Sequence, residues 1–286
     1  MSGAATQPPE LRLTAGAEDP PIGAAVDPVS ATGEFARTGP AVNRVPPAAI
    51  GRWLSRGWAD FRAAPGTSLI IGACCTVVSW VLVGLIAATD YAVLILPLLT
   101  GFMFAAPILA LGLYESSRLQ AERRPVTVPA TWDVWRRNKF QIAFTGALLM
   151  LFLYGWMRVA TMLSALFFGD NIPPLGAFFR SAFLSAEHAD FAIIGTGIGA
   201  VLAAIVFGLS AVSLPMLVDR PTDSVTAMVT SMRACLANPV TMGLWAVIIV
   251  ALTVLGALPG FLGFVVIIPL VGHATWHAYK DLVGAG

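Results

Sequence analysis

The sequence predicts an all-α polytopic membrane protein, with six transmembrane helices in three hairpins and with amphipathic interfacial helices between them. Of its 286 residues, 57% are hydrophobic and only 12% are charged, and the mean hydropathy is +0.78. Soluble domains carry about twice that share of charged residues. The apolar residues are collected in long runs, as in chains that fold within a lipid bilayer.

Residues 1–45 differ from the rest of the chain because they contain no long apolar run. They are rich in Pro, Gly, Ala and Thr, with scattered acidic residues. Such a segment buries too little apolar surface to offset the entropy lost on ordering. The sequence therefore predicts a disordered cytoplasmic tail over residues 1–45 and a six-helix transmembrane domain over residues 46–286.

Six apolar runs follow the tail, each close to the length of about 20 residues that a helix needs to cross a bilayer. We predict transmembrane helices at 68–88, 92–114, 140–167, 191–218, 242–258 and 261–278. The last two runs are separated only by Pro259 and Gly260, a dipeptide typical of turns. The loop 169–190 is long enough to hold a short helix on the membrane surface.

A weak internal repeat accompanies the runs. Segments at 49–65, 128–140 and 222–239 precede the three hairpins, and the first alternates aromatic residues with arginines, as expected for a helix at the headgroup level. A proline stands near the end of each even-numbered run, and a polar residue follows eight positions later. These pairs are Pro107 and Glu115, Pro215 and Asp223, and Pro269 and His277.

Lys and Arg are concentrated on one side of the predicted membrane. The segment 49–65 before the first run holds three arginines, six basic residues lie between the second and third runs, and only Arg180 lies in a loop on the other side. Cytoplasmic loops carry the excess of basic residues. We therefore predict a multi-pass protein of the bacterial inner membrane with both termini in the cytoplasm.

From about residue 50 to residue 283 the chain resembles a bacterial membrane family known as domain of unknown function 2189. The resemblance rests on RGWADFRAAPGTSLIIG at 56–72, SLPMLVDRPTDSVTAMVTSMRACLANPVTMGLWA at 213–246 and IPLVGHATWHAYKDLV at 268–283. It implies a six-helix integral membrane protein. Some relatives carry a label likening them to a cytochrome c oxidase subunit, which implies a link to respiratory complexes.

The histidines test that label. An oxidase core needs about six intramembrane histidines for two haems and a copper ion, and the chain has three histidines in total. His273 and His277 share one helix face, so they cannot occupy opposite axial positions of one haem. Two histidines four residues apart can share a metal ion. A metal site at His273 and His277 therefore stays an alternative to plain hydrogen bonding near the headgroups, and no cofactor is expected.

Three other polar residues fall within or beside the apolar runs. Arg158 lies deep in the third run, where a charge costs at least about 2.5–3.5 kcal/mol, so we expect it to face the bundle or an aqueous cavity, or to extend toward outer-side carboxylates. Glu115 and Asp219 lie at a depth similar to that of His273 and His277. The sequence contains no motif of a nucleophilic, metal-hydrolytic or phosphate-binding enzyme, which predicts that the protein is not an enzyme.

Two function classes remain. The first is an accessory or assembly subunit of a larger membrane complex, with a respiratory oxidase as the first candidate. The alternative is a transporter or channel for a small or lipid-like solute that uses Arg158 and the proline-kinked helices. The expected partners are membrane lipids and, for the first class, subunits of a respiratory complex. Nucleic acid is not expected, because the basic residues fit topology and anionic lipid.

Overall fold

The computed structural model describes residues 39–88, 95–169 and 189–284. Over these residues the chain is helical, and an isolated bridge between Val42 and Val283 is the β pairing found there. The helices, in chain order, are α1 (Ala49–Ala63), α2 (Pro65–Ala87), α3 (Ile95–Leu109), α4 (Leu111–Ala121), α5 (Val128–Trp132), α6 (Val134–Arg137), α7 (Lys139–Phe168), α8 (Ala189–Ser210), α9 (Ser213–Asp219), α10 (Ser224–Ala237), α11 (Pro239–Ala257) and α12 (Phe264–Leu282).

The three predicted interfacial segments form α1, the pair α5 and α6, and α10. Each is joined to the next long helix by one residue with nearly the same backbone conformation: Ala64 at φ −133° and ψ 60°, Asn138 at −131° and 42°, and Asn238 at −131° and 52°. The following helix starts at once, with proline at its first position in two of the three cases. This shared corner agrees with the internal repeat that the sequence indicates.

Four helical stretches in the described part of the chain are long and apolar enough to cross a membrane: Pro65–Ala87, Lys139–Phe168, Ala189–Asp219 and Pro239–Ala257. The second predicted span is represented by α3, which has 15 residues and contains Pro107. The sixth is represented by α12, whose second half carries two histidines, a lysine and an aspartate. The described residues thus confirm the helical fold class and contain four helical stretches that could cross a membrane.

α12 lies at the centre of the packing, against α1, α2, α4 and α11. Glycines allow this close approach, because a Cβ at Gly72 of α2 would lie 2.4 Å from the carbonyl oxygen of Val265. On the other side, a Cβ at Gly57 of α1 would lie 2.7 Å from the nitrogen of Ala274. Contacts this short leave no room for any side chain, so α1 and α2 hold α12 backbone to backbone.

A second group of helices consists of α3, α7 and α8, in which α3 packs against α7 and α7 packs against α8. The buried apolar residues of both groups belong mainly to one continuous cluster, which extends through α9 and α10. Trp53 and Trp245 meet edge to face at its α1 end, with their ring centroids 5.7 Å apart. We call the end of the bundle at which α1 and α10 lie the surface-helix end.

Residues 39–45, the last part of the predicted tail, hydrogen-bond with two segments at the surface-helix end, the end of α12 and the junction of α10 and α11. The amide of Asn43 donates to the carbonyl of Leu282 at 2.8 Å, and the amide of Val45 donates to Asn238 Oδ1 at 2.7 Å. Residues 1–38, which form most of the predicted tail, lie outside the described residues, as do 170–188 of the predicted outer loop.

Candidate functional site

A chain of buried hydrogen bonds surrounds His273 at the surface-helix end of α12. The His273 ring is fully buried, with Nε2 3.0 Å from the hydroxyl of Ser68 and Nδ1 2.7 Å from the hydroxyl of Ser117. Ser117 donates onward to Oδ2 of Asp60 at 2.6 Å. The same carboxylate oxygen lies 2.9 Å from Nε2 of His277. We call these five residues the His273 chain.

The proton positions in the His273 chain follow from the number of donors. Ser117 has one hydroxyl proton and donates it to Asp60, so it must accept a hydrogen bond from Nδ1–H of His273. The other nitrogen of that neutral ring then accepts from the hydroxyl of Ser68. This tautomer is assigned from the network, and it satisfies every partner within it.

That assignment bears on the metal site predicted at His273 and His277. Nδ1 of His273 carries the proton that it donates, and the lone pair of Nε2 accepts from Ser68, so neither nitrogen is open to a metal ion. Within the described ranges, no three His, Cys, Asp or Glu side chains are grouped so that they could hold a metal ion. The site stays a prediction, and the geometry observed favours hydrogen bonding instead.

Asp60 is the carboxylate that sequence reasoning missed. Its spacing could have revealed it, since Trp53, Gly57 and Asp60 follow one another at helical intervals along the buried face of α1. The sequence instead indicated Glu115, Asp219 and Asp223 as neighbours of the histidines. The structure engages each of these three with other partners.

Glu115 is fully buried and binds the guanidinium of Arg118, one turn further along α4, through two hydrogen bonds of 2.8 and 2.9 Å. Arg118 also bonds Glu122. Asp223 instead caps the start of α10, where it accepts from the amide of Thr226 at 2.8 Å. The hydrogen bonds from Thr226 lower the pKa of this carboxyl below its usual range.

Asp219 fixes the end of α12. Its Oδ2 accepts from the hydroxyl of Tyr279 at 2.6 Å and from Nζ of Lys280 at 3.1 Å. Arg220 donates to the same tyrosine oxygen at 2.9 Å and to the carbonyl of Gly284 at 2.7 Å. This cluster anchors the C-terminal end of the chain to the end of α9, which is a structural task.

Of the two orientations that the sequence left open for Arg158, the structure shows the outward one. Its side chain is exposed on α7. The reason is the length of α7, whose 30 residues span about 45 Å against about 30 Å of hydrocarbon. Arg158 lies about 28 Å from the start of that helix, which brings it near the far headgroups, where a long cationic side chain can extend to water.

A cavity of about 660 Å³ lies beside the His273 chain, among α3, α4, α8, α11 and α12. Its lining is mainly apolar, and α8 and α11 each contribute several small residues among larger aliphatic ones. The small residues include Ala200, Ala203 and Ala204 on α8 and Gly243 and Ala246 on α11. Small side chains on both helices leave the gap that bulkier residues would fill.

The polar residues that line the cavity are concentrated at its surface-helix end. Tyr114 of α4, Ser210 of α8, Cys235 of α10 and Thr275 of α12 all lie there. Burial raises the pKa of the Cys235 thiol to about 12, so Cys235 lines the cavity as a neutral thiol. The cavity is therefore amphipathic, with a long apolar part and one polar end.

The family comparison agrees with the helical architecture. The family model described as "Predicted integral membrane protein (DUF2189)" matches residues 95–219. The predicted family resemblance is confirmed. Of the three stretches on which it rested, only the start of 213–246 lies within the matched residues, and 56–72 and 268–283 lie outside them. No curated protein and no solved structure matches the chain.

The residues matched to the DUF2189 family include α3 to α9 and so contribute most of one wall of the cavity, through Tyr114 and the small residues of α8. The facing wall, α11 and α12, follows the matched residues. The four long apolar helices indicate an integral membrane protein, which agrees with the description of this family.

Proposed function

We propose that this chain is a non-enzymatic integral membrane protein that holds the acyl chain of a lipid in the cavity between α8 and α11. A bound acyl chain corresponds to the lipid-like solute that a transporter would carry. The observation that supports the proposal is the position and polarity of the cavity, which is bounded by two helices that are apolar enough to cross a membrane. Ligand pockets in proteins have similar volumes and are mainly apolar, with few polar groups.

The length of the cavity suits one leaflet of a bilayer. Its lining extends from Ala200 to Ala211 beside α8 and from Met242 to Thr253 along α11. At 1.5 Å per helical residue, each wall is about 16 Å long. The hydrocarbon core is about 30 Å thick, so the cavity has the reach of one layer of acyl chains. Lipid is also the apolar molecule that surrounds the protein at this depth.

For the topology we propose that α3 and α12 belong to the second and sixth spans, which completes three hairpins. The surface-helix end is then the cytoplasmic side of a bacterial inner membrane, because Arg52, Arg56 and Arg118 are located there. A cysteine-accessibility scan of intact cells tests this topology. Labelling of α1 positions by an impermeant reagent from outside the cell would contradict it.

Photocrosslinking tests the lipid cavity directly. The purified protein is reconstituted with a phospholipid that bears a diazirine in its acyl chain, irradiated, and digested to locate the label. We expect label in the peptides 200–211 and 242–253 above that in the lipid-facing peptide of α2. Gly243→Leu should remove this excess, because the new side chain projects into the cavity that Gly243 lines.

Gly197→Leu is the matched control. It adds the same atoms to α8, at a glycine where a Cβ meets nothing within 4 Å and which does not line the cavity. Even labelling along all apolar helices, or equal labelling of the wild type and the Gly243→Leu variant, would contradict the proposal. Lipid flux in proteoliposomes then tells a carrier from a protein that only holds lipid.

A second candidate is the accessory subunit of a larger membrane complex, with a respiratory oxidase as the first partner to test. It is favoured by the exposed tryptophans of the surface helices, Trp58, Trp132 and Trp135, which could contact a neighbouring subunit as well as headgroups. Co-purification with such a complex from mild detergent tests it. Recovery as a free protein, with normal oxidase activity in a deletion strain, would contradict it.

A further inference from the structure

Tyr114 gives the polar end of the cavity a hydrogen-bond donor. The residue is 3% exposed and lines the cavity, yet its phenol hydroxyl forms no hydrogen bond with any residue that the structure describes. Its oxygen is not among the fully buried side-chain atoms that lack a partner in the described residues, so the hydroxyl is open to the cavity that Tyr114 lines. Such a hydroxyl beside an apolar cavity points to an acceptor on the molecule that the cavity holds.

The other hydroxyls around the cavity are already engaged. Ser210 donates to the carbonyl of Val206 at 2.7 Å, and Thr275 donates to the carbonyl of Val271 at 2.8 Å. Thr253, at the opposite end, donates to the carbonyl of its own helix one turn earlier. The remaining polar side chain at the surface-helix end is the thiol of Cys235, a weak donor. Tyr114 is therefore the strong donor that a ligand would meet at this end.

We propose that the hydroxyl of Tyr114 donates to the carbonyl oxygen at the head end of a lipid acyl chain that occupies the cavity. The proposal deepens the lipid-binding function and rests on it. When the hydrocarbon lies along α8 and α11, the first carbon of the acyl chain is at the polar end of the cavity. Its carbonyl oxygen is then next to the phenol of Tyr114. A phenol is neutral at physiological pH, so it donates equally well to the ester of a phospholipid and to the carboxyl group of a fatty acid.

The test compares three photoreactive probes of equal chain length in detergent-solubilised protein: a diazirine-bearing palmitic acid, its methyl ester, and the same hydrocarbon chain without a carbonyl group. Apparent affinity is read from the concentration dependence of label in the cavity peptides 200–211 and 242–253. The variant is Tyr114→Phe, which removes only the hydroxyl. The matched control is Tyr154→Phe, because Tyr154 is exposed on α7 and does not line the cavity.

We expect Tyr114→Phe to weaken labelling by one or both carbonyl probes about 2- to 12-fold, the range for loss of one hydrogen bond, and to leave the hydrocarbon probe unchanged. Loss with the acid alone assigns a free fatty acid, loss with the methyl ester alone assigns an ester lipid, and loss with both shows that the carbonyl oxygen of either is recognised. An equal change with all three probes, or no change with either carbonyl probe, would overturn the assignment of Tyr114.

The two proposals fail in distinguishable ways. If the hydrocarbon probe labels the cavity peptides and Gly243→Leu abolishes that labelling, the cavity holds an acyl chain whatever Tyr114 does. If the hydrocarbon probe shows no preference for these peptides, the lipid-binding function itself is wrong. A thermal unfolding curve for each variant confirms that the protein is folded during labelling.

Discussion

Removal of the Ser117 hydroxyl tests the His273 chain, because this hydroxyl links the ring of His273 to the carboxylate of Asp60. Ser117 is 2% exposed, accepts from His273 Nδ1–H at 2.7 Å and donates to Asp60 at 2.6 Å. In the Ser117→Ala variant the histidine N–H has no acceptor in a site closed to water, which costs about 1–3 kcal/mol. Loss of the bond to the partly exposed carboxylate adds about 1 kcal/mol. We expect the free energy of unfolding to fall by about 2–4 kcal/mol.

The assay is equilibrium unfolding in mixed micelles of a mild detergent with increasing SDS, followed by tryptophan fluorescence. Ser116→Ala is the matched control, because Ser116 is equally buried but accepts only a 3.4 Å contact from Gln120. Ser68→Ala should give an intermediate loss, since it removes one of the two partners of the ring. A loss for Ser117→Ala no larger than that for Ser116→Ala would refute the proton assignment and the importance of the chain.

Three further changes probe other parts of the fold. Gly72→Ala should destabilise the protein by about 1–3 kcal/mol or more, because its Cβ would lie 2.4 Å from the Val265 carbonyl oxygen. Gly84→Ala is the control and should not destabilise it, since a Cβ there meets nothing within 4 Å. Equal unfolding midpoints for the two variants would refute the close approach. Asp223→Ala should lower the free energy of unfolding by about 0.5–2 kcal/mol at pH 7 and Asp223→Asn by less. Folding lowers the pKa of Asp223, so its charge stabilises the folded state fully at pH values above the unfolded-state pKa, and this stabilisation is lost as the pH falls through the folded-state pKa. A stability difference between the wild type and Asp223→Ala that does not change with pH would contradict this. Arg158→Leu should change the free energy of unfolding by less than about 0.5 kcal/mol, since the side chain is exposed, and a loss of several kcal/mol would show a buried role.

Several features of the fold could be predicted from the sequence because they depend on local pattern. The corners before α2, α7 and α11 fall where a surface segment meets an apolar run, and two of them are marked by proline. The sequence left open whether Arg158 faces the bundle or extends outward, and the length of α7 favours the second orientation. A helix of 30 residues exceeds the hydrocarbon thickness, so a position two-thirds along it is not at the membrane centre.

The candidate site was only partly predictable. The sequence marked His273 as a candidate residue, but the residues linked to it, Ser68, Ser117 and Asp60, come from three other helices. Hydroxyl residues and single aspartates are too common for such a set to stand out in one sequence. Tyr114 gave no signal either, because its significance depends on having no partner at the edge of a cavity.

The sequence by itself determined that this protein is helical and integral to a membrane. In hydrocarbon, backbone groups must bond within their own segment, so a chain with long apolar runs has to form helices. The tertiary structure decided which polar groups meet and where space remains. Gly57 and Gly72 let α12 approach α1 and α2 closely, which brings His277 to Asp60 of α1 and His273 to Ser68 of α2. The small residues of α8 and α11 leave a cavity instead, because helices in lipid gain no hydrophobic driving force from closing such a gap.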